Sequence, residues 1–179
     1  MAQFKVFSPD AEVVGQAILV FLEGMSSFHS MALQILEEQG INDIQPDGWY
    51  PMQAYLNAYR HIAEKVGPAT LKMIGKQVPE LALWPPEVNS IETALTSIDV
   101  AYHMNNRGSN VGSYRFEKTG ESTGKMVCHT PYPCSFDQGL VGATARKFTP
   151  VGVVVTVKHD DTQPCRQTGG ETCTLLVSW

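Results

Sequence analysis

The chain has 179 residues, of which 43% are hydrophobic and 17% are charged, and its formal net charge is −5. This length and apolar content predict a compact domain with a buried core, and argue against a disordered or solenoid-like protein. Lysine and arginine are scattered, with Arg146-Lys147 as the densest local pair. A nucleic-acid-binding protein would carry a basic patch, so we expect no nucleic-acid partner.

The N-terminal sequence MAQFKVFSPD lacks the basic and apolar regions of a secretory signal peptide. The most apolar stretch, residues 17–22, is far shorter than the roughly 20 residues that a membrane-spanning helix needs. We therefore expect a cytoplasmic protein without a membrane span.

The first 107 residues are predicted to be helical. Ser8-Pro9-Asp10 is typical of a helix start, and apolar residues recur at helical spacing from Val13 to Leu22. Proline and glycine interrupt the later apolar stripes, because proline lacks an amide hydrogen and glycine favours helix ends. The further helices are predicted at Ser27–Gln39, Met52–Val66, Thr70–Val78 and Val88–Asn105.

The spacing of apolar residues changes after Gly112, where alternation predicts strands instead of helices. Turn residues at 121–124 predict a β-hairpin. A helix is expected at Ser135–Phe148, followed by strands at Val151–Lys158 and Thr172–Trp179. The order predicts an α+β fold, in which an N-terminal helical half (residues 1–107) packs with a small antiparallel sheet (residues 108–179) as a single ligand-sensing domain.

All four cysteines lie in the second part, at Cys128, Cys134, Cys165 and Cys173. In a reducing compartment such a cluster indicates metal or redox chemistry before disulfides. Cys134 precedes a predicted helix, and Gly169-Gly170 lets the chain turn back between the last two cysteines.

Three thiolates and one imidazole form a standard tetrahedral zinc set, so we predict zinc ligands at Cys134, Cys165, Cys173 and His159. Cys128 is the alternative fourth ligand. The other interpretation is that these cysteines are buried, reduced thiols without a metal, since free cysteine is often buried. Nucleophilic catalysis by Cys128 with His129 is disfavoured, because neighbouring residues in a strand point to opposite faces.

The pattern of Cys134, a helix with Gly139, a strand and then Cys165-x3-Gly169-x3-Cys173 resembles the 4-vinyl reductase domain over residues 110–179. That family shares its fold with the heme nitric-oxide/oxygen-binding (H-NOX) domains and with vesicle-tethering subunits. The resemblance implies a sensor of an apolar or aromatic small molecule, with zinc at the matching cysteines beside the ligand pocket. The chain departs from the family at Thr162, where an acid usually stands.

The relation to H-NOX domains supplies a second hypothesis, a heme-based gas sensor that uses His103 as the heme ligand. Two observations argue against it. The Tyr-x-Ser-x-Arg motif that holds the heme propionates is absent from the corresponding stretch, VCHTPYPCSFDQG. His103 also falls four residues after Asp99, away from the apolar stripe of its helix, where the two side chains can pair on an exposed face.

Aromatic residues cluster in the helical half, where they form either the core or the wall of an apolar pocket. They are Trp49, Tyr50, Tyr55, Tyr59 and Trp84. No nucleotide-binding glycine pattern is present, so we expect a binding protein more than an enzyme. A reductase or accessory protein of tetrapyrrole metabolism remains an alternative that only the family resemblance suggests. Output is expected through a homodimer or a separate signalling partner.

Overall fold

Helices and two small antiparallel sheets alternate along the computed structural model, which describes residues 3–179. The helices within this range are α1 (Gly15–Gly24), α2 (His29–Glu38), α3 (Met52–Lys65), α4 (Pro68–Leu81), α5 (Ile91–Asn105) and α6 (Cys134–Lys147). The strands within it are β1 (Glu12–Val14), β2 (Trp49–Pro51), β3 (Asn106–Arg107), β4 (Ser113–Gly120), β5 (Thr123–His129), β6 (Thr156–His159) and β7 (Cys173–Ser178). The predicted α+β fold is confirmed.

The two sheets have different roles. The first, in the order β2-β1-β3, ties the N-terminal segment to the end of α5. The second, in the order β4-β5-β7-β6, is antiparallel throughout, and places the C-terminal strand β7 between the predicted hairpin and β6. Because β7 is central, its inward residues Cys173, Leu175 and Val177 are buried. The sheet therefore brings the last cysteine into the interior.

The first helix begins later than its sequence signal predicts. Ser8 and Asp10 do not cap a helix; Ser8 Oγ donates to the carbonyl of Asn110, and Asp10 accepts two hydrogen bonds from Ser109. Val13 is fully buried in β1, where it faces Asn106 of β3. Long-range contacts thus hold Ser8 and Asp10 in a turn and Val13 in a strand, and the predicted helix start at Ser8-Pro9-Asp10 is wrong.

Other boundaries also differ from the prediction. Helix α4 continues through Pro79 to Leu81, and the carbonyl of Pro79 accepts a hydrogen bond from the Trp84 indole. A proline near the C-terminal end of a helix removes one backbone donor without ending the helix. The last strand before the tail begins at Thr156, because Val151 and its apolar neighbours lie exposed outside the sheet.

Helices α4 and α6 cross at close range, and this contact positions the start of α6. A Cβ on Gly75 would lie 2.2 Å from the carbonyl oxygen of Phe136, and one on Gly139 would lie 2.1 Å from that of Lys72. Both glycines are therefore required for the backbones to approach.

Within the described range, no single helix is long and apolar enough to cross a membrane. Helices α1 and α2, with the short 3-10 turn before α2, reach the length and hydropathy together but are bent by 86°.

Candidate metal centre and ligand cavity

Four side chains from separate elements converge where α6 begins. Cys134 is the first residue of α6, His159 ends β6, Cys173 begins β7, and Cys165 lies in the loop between these strands. Their ligand atoms, three sulfurs and one imidazole nitrogen, all lie within 4.8 Å of one another. Gly169 adopts a φ of +98°, the left-handed conformation that lets this loop return to the sheet.

The sulfur spacing matches tetrahedral coordination. Cys165 Sγ lies 3.6 Å from Cys134 Sγ and 3.6 Å from Cys173 Sγ. Zinc–sulfur bonds of about 2.3 Å in a regular tetrahedron place neighbouring sulfurs about 3.8 Å apart. All four cysteines of the chain are free thiols, so no disulfide competes for these sulfurs. The donor set and its spacing therefore fit zinc.

His159 has the orientation of a metal ligand. Its Nε2 is buried and has no hydrogen-bond partner in the structure, which is costly for a polar atom unless something else binds it. Its Nδ1 lies 3.3 Å from the carboxylate of Asp161. Metal-bound histidines commonly donate their second ring nitrogen to a carboxylate, which fixes the ring and its tautomer.

Amide groups donate hydrogen bonds to all three sulfurs. The backbone N–H groups of Arg166 and Gln167 donate to Cys173 Sγ and Cys165 Sγ, each at 3.3 Å, and the Gln3 amide donates to Cys134 Sγ at 2.9 Å. A hydrogen bond from Cys134, together with the charge of Arg166, lowers the pKa of Cys173 to about 4. The pKa of Cys134 is raised, because it keeps the proton that the pair shares.

A buried ion pair lies directly behind the cluster. The Arg166 guanidinium is fully buried, pairs with the Asp137 carboxylate, and donates to the Thr130 hydroxyl at 2.9 Å. The other Asp137 oxygen accepts a hydrogen bond of 2.6 Å from Tyr114. Burial raises the pKa of Asp137 to about 6, against the opposing effects of Arg166 and Tyr114, so its carboxylate is ionised at neutral pH.

Cys128 lies outside the group of four. It is completely buried in β5, and its thiol contacts the carbonyl of Met126 at 3.9 Å. Burial raises the pKa of Cys128 well above its ordinary value, which is typical of an inert core thiol. The adjacent His129 stacks on Phe7, with ring centroids 4.6 Å apart. Cys128 is therefore not part of the cluster. His129 packs against Phe7.

A cavity of about 560 Å³ lies between the helices and the sheet, walled by α1, α3, α4, α5, α6 and β4. Its inner wall is aromatic, and Tyr59 packs edge-to-face on Tyr55 and Phe136 with ring centroids 5.0 and 5.5 Å apart. Exposed apolar side chains, Leu81, Leu83 and Met104, lie at its edge. The volume is within the usual range for small-molecule sites, about 300–1,000 Å³.

The tyrosine hydroxyls of this wall bond within the protein. Tyr55 donates to the carbonyl of Ala17, Tyr102 to that of Val111, and Tyr132 to the side chain of Asn106. Burial raises the pKa of each of these tyrosines, so they stay neutral. Tyr55 and Tyr59 thus line the predicted apolar pocket, and Trp84 joins them.

The structure places His103 outside this cavity. Its side chain is 47% exposed, and its Nδ1 lies 2.9 Å from the carbonyl and 3.5 Å from the carboxylate of Asp99 on the same helix. The residues of α5 that line the cavity include both sequence neighbours of His103, Tyr102 and Met104, but not His103 itself. The contact with Asp99 is the one that the helical spacing predicts. His103 is therefore not positioned to bind an iron atom in the cavity.

Sequence reasoning did not identify the polar residues that connect the two sites. Arg166 follows a predicted zinc ligand, and Asp137 stands in the first turn of α6, where an acid usually stabilises the helix end. Tyr114 and Thr144, which line the cavity, have no local signal beyond their place on a strand and a helix. Only the adjacency of Arg166 to Cys165 could have indicated a role.

Comparisons with known proteins establish the fold. No protein-family model and no curated protein matches the sequence. The resemblance to the 4-vinyl reductase domain therefore has no support from these comparisons, whereas the expected relation in fold to H-NOX domains is supported by solved structures.

Several solved H-NOX proteins resemble the structure. An H-NOX protein from S. oneidensis, in the Fe(II)NO ligation state, has a TM-score of 0.71 at 15% sequence identity, covering 92% of this chain and 98% of that one. An unliganded Fe(II) H-NOX mutant from K. algicida has a TM-score of 0.69 at 12% identity, covering 92% and 95%. A mutant H-NOX from T. tengcongensis has a TM-score of 0.67 at 12% identity, covering 90% and 94%. The chain has the H-NOX fold, with six helices and two antiparallel sheets over the described residues.

Proposed function

We propose that this chain is a small-molecule sensor domain of the H-NOX fold, with a ligand cavity between helices and sheet and a structural zinc site beside it. The aromatic cavity of about 560 Å³ is the observation that carries the proposal. An apolar cavity of this size that opens to solvent leaves apolar surface in contact with water unless a ligand covers it. The wall is mostly apolar, and it therefore favours an apolar or aromatic small molecule as the ligand.

Native mass spectrometry of the freshly purified protein tests this proposal. We expect a mass increase of one zinc atom and, under gentle ionisation, of one organic molecule. Acid removes the zinc and organic solvent extracts the organic ligand, so the stoichiometry of each is measured independently. A protein that carries no organic molecule, and binds none from a panel of apolar fluorescent compounds, would rule out the ligand-binding part.

The zinc site is supported by Cys134, Cys165, Cys173 and His159, whose arrangement matches a closed structural site with four protein ligands. Bound zinc would supply a fixed, redox-inert cross-link between α6, β6 and β7. The test is elemental analysis of protein purified with a reducing agent, where we expect one zinc per chain. Cys165→Ser should lose the metal.

Cys128→Ala provides a matched control, because this cysteine is in the same sheet but outside the cluster. We expect this variant to keep its zinc. Equal zinc content in the wild type and Cys165→Ser would contradict the assignment of the site. Loss of zinc from Cys128→Ala alone would instead identify Cys128 as the fourth zinc ligand.

A heme-based gas sensor is the second candidate function, and the solved structures with this fold favour it. The names of two of these structures refer to heme redox potential and to heme distortion. The residues of this chain do not fit a heme bound through His103, since that side chain lies outside the cavity. No lysine, arginine or histidine of the described residues lines the cavity to hold two propionates.

Reconstitution with hemin distinguishes the two functions. A sensor of an apolar molecule should give no Soret shift beyond that of hemin with an unrelated protein. A stoichiometric Soret band, lost in His103→Ala, would instead establish the heme function. The matched control is His29→Ala, because His29 is an exposed histidine on a different helix.

A further inference from the structure

We infer that the cavity selects a neutral ligand, predominantly apolar, with one hydrogen-bonding group that pairs with the hydroxyl of Thr144. This inference rests on the proposed ligand-binding function and goes further by naming the class of ligand and the residue that recognises it. It follows from two independent features of the cavity wall, its lack of charge and its one unpaired buried hydroxyl.

The wall contains no ionisable side chain other than tyrosine among the residues that the structure describes. The nearest buried charges, Asp137 and Arg166, neutralise each other behind Tyr114, whose hydroxyl donates to the carboxylate. A ligand with a net charge would lose its hydration in the cavity without gaining a counter-charge. The cost of burying an unpaired charge is large, so such ligands are disfavoured.

Thr144 supplies the polar contact. It lies one helical turn after Leu140 and two after Phe136, on the face of α6 that walls the cavity, and its side chain is completely buried. Its Oγ1 is the one buried side-chain oxygen or nitrogen of the described cavity wall without a hydrogen-bond partner. A hydroxyl in a helix can bond to a carbonyl of the preceding turn, yet this one does not.

The tyrosines cannot replace Thr144 as a donor without breaking existing bonds, because their hydrogens are already used. Tyr55 donates to the carbonyl of Ala17, Tyr59 bonds to the Tyr55 hydroxyl, and Tyr114 donates to Asp137. A buried unpaired hydroxyl destabilises the fold, and a ligand donor or acceptor at this position would remove that cost. Thr144 therefore determines specificity, and the aromatic side chains supply affinity for any flat apolar molecule of suitable size.

Two probes of nearly equal shape test the inference, 2-naphthol and 2-methylnaphthalene, with dissociation constants measured for the wild type, Thr144→Val and Thr144→Ser. Valine keeps the shape of threonine and removes the hydroxyl, and serine keeps the hydroxyl. The measured quantity is the change in the ratio of the two dissociation constants between each variant and the wild type, in which the hydrophobicity of each probe cancels. Circular dichroism and the thermal midpoint verify that each variant is folded.

We expect Thr144→Val to shift this ratio against 2-naphthol by about 2- to 10-fold, the effect of one neutral hydrogen bond. Thr144→Ser should restore the wild-type preference. Equal effects of Thr144→Val on both probes would overturn the role of Thr144 while leaving ligand binding intact. If neither probe nor any other apolar compound binds the wild type, the proposed function fails as well.

The anion 2-naphthoate tests the charge requirement separately. It has the same ring system, and we expect it to bind at least about tenfold more weakly than 2-naphthol because the cavity offers no cation. Binding of 2-naphthoate as tight as that of 2-naphthol would overturn selection for a neutral ligand.

Discussion

Arg166 and Asp137 form an ion pair in which both side chains are fully excluded from solvent. The pair connects the loop that contains Cys165 to the first turn of α6, and the Tyr114 hydroxyl extends it to the cavity wall. The arginine also donates to Thr130, so both charges are hydrogen-bonded as well as paired. Removing one member of such a pair leaves the other charge buried without a partner.

Arg166→Met should lower the free energy of unfolding by about 3–5 kcal/mol, because the Asp137 carboxylate becomes unpaired. Chemical denaturation of the zinc-loaded protein measures this loss. The double variant Arg166→Met/Asp137→Asn should lose less free energy of unfolding than the sum of the losses of the two single variants. Arg107→Met is the control, since Arg107 pairs with Glu12 at the surface, where about 1 kcal/mol or less is expected. A cost for Arg166→Met no larger than that of the control would contradict the assigned role.

Zinc should stabilise the folded protein by mass action, because the four ligands converge only after folding. At free zinc about 100-fold above the dissociation constant, the gain is about 2.7 kcal/mol. Differential scanning calorimetry with and without a chelator measures it as a shift of the thermal midpoint. Cys165→Ser should melt at one temperature under both conditions; a chelator response as large as in the wild type would place the metal elsewhere.

Gly139→Ala should destabilise the protein, because the new Cβ would lie 2.1 Å from the carbonyl oxygen of Lys72 and force α4 and α6 apart. Overpacking of this kind costs about 1–3 kcal/mol. Gly142→Ala, one turn later on the same helix, is the matched control. Its Cβ would lie 3.3 Å from the Arg146 guanidinium, which can move away, and 3.6 Å from Val157, an ordinary van der Waals contact. Urea unfolding should separate the two variants, and similar midpoints would argue against the close crossing.

Asp10→Asn should reduce stability at neutral pH and have less effect in acid. Hydrogen bonds, chiefly from the Ser109 side chain, lower the pKa of Asp10 from 3.8 to about 2. A depressed pKa means that the carboxylate stabilises the fold above pH 3.8, and that this stabilisation disappears as the pH falls toward 2. Unfolding midpoints of both proteins should therefore converge over this interval. A constant difference between them would show that the Asp10 charge does not contribute.

The sequence by itself determined the elements whose signals are local. The spacing of apolar residues along the chain predicts three of these elements. They are helix α3 between Pro51 and Gly67, the β4–β5 hairpin and the last helix. The cysteine spacing around Gly169 likewise indicated which thiols could meet. The sequence adds Cys134 at the start of a predicted helix and His159 at the end of a predicted strand, and the fold brings the four ligand atoms together.

Only the tertiary structure decided the features that depend on residues far apart in the chain. Ser8 and Asp10 have the residue types of a helix start, but bonds to residues about 100 positions later hold them in a turn. The Arg166–Asp137 pair joins residues 29 positions apart, and the unpaired hydroxyl of Thr144 is visible only when all its neighbours are known. Periodicity reports which face of an element is apolar, whereas the partner of each buried polar group is fixed by how those faces pack.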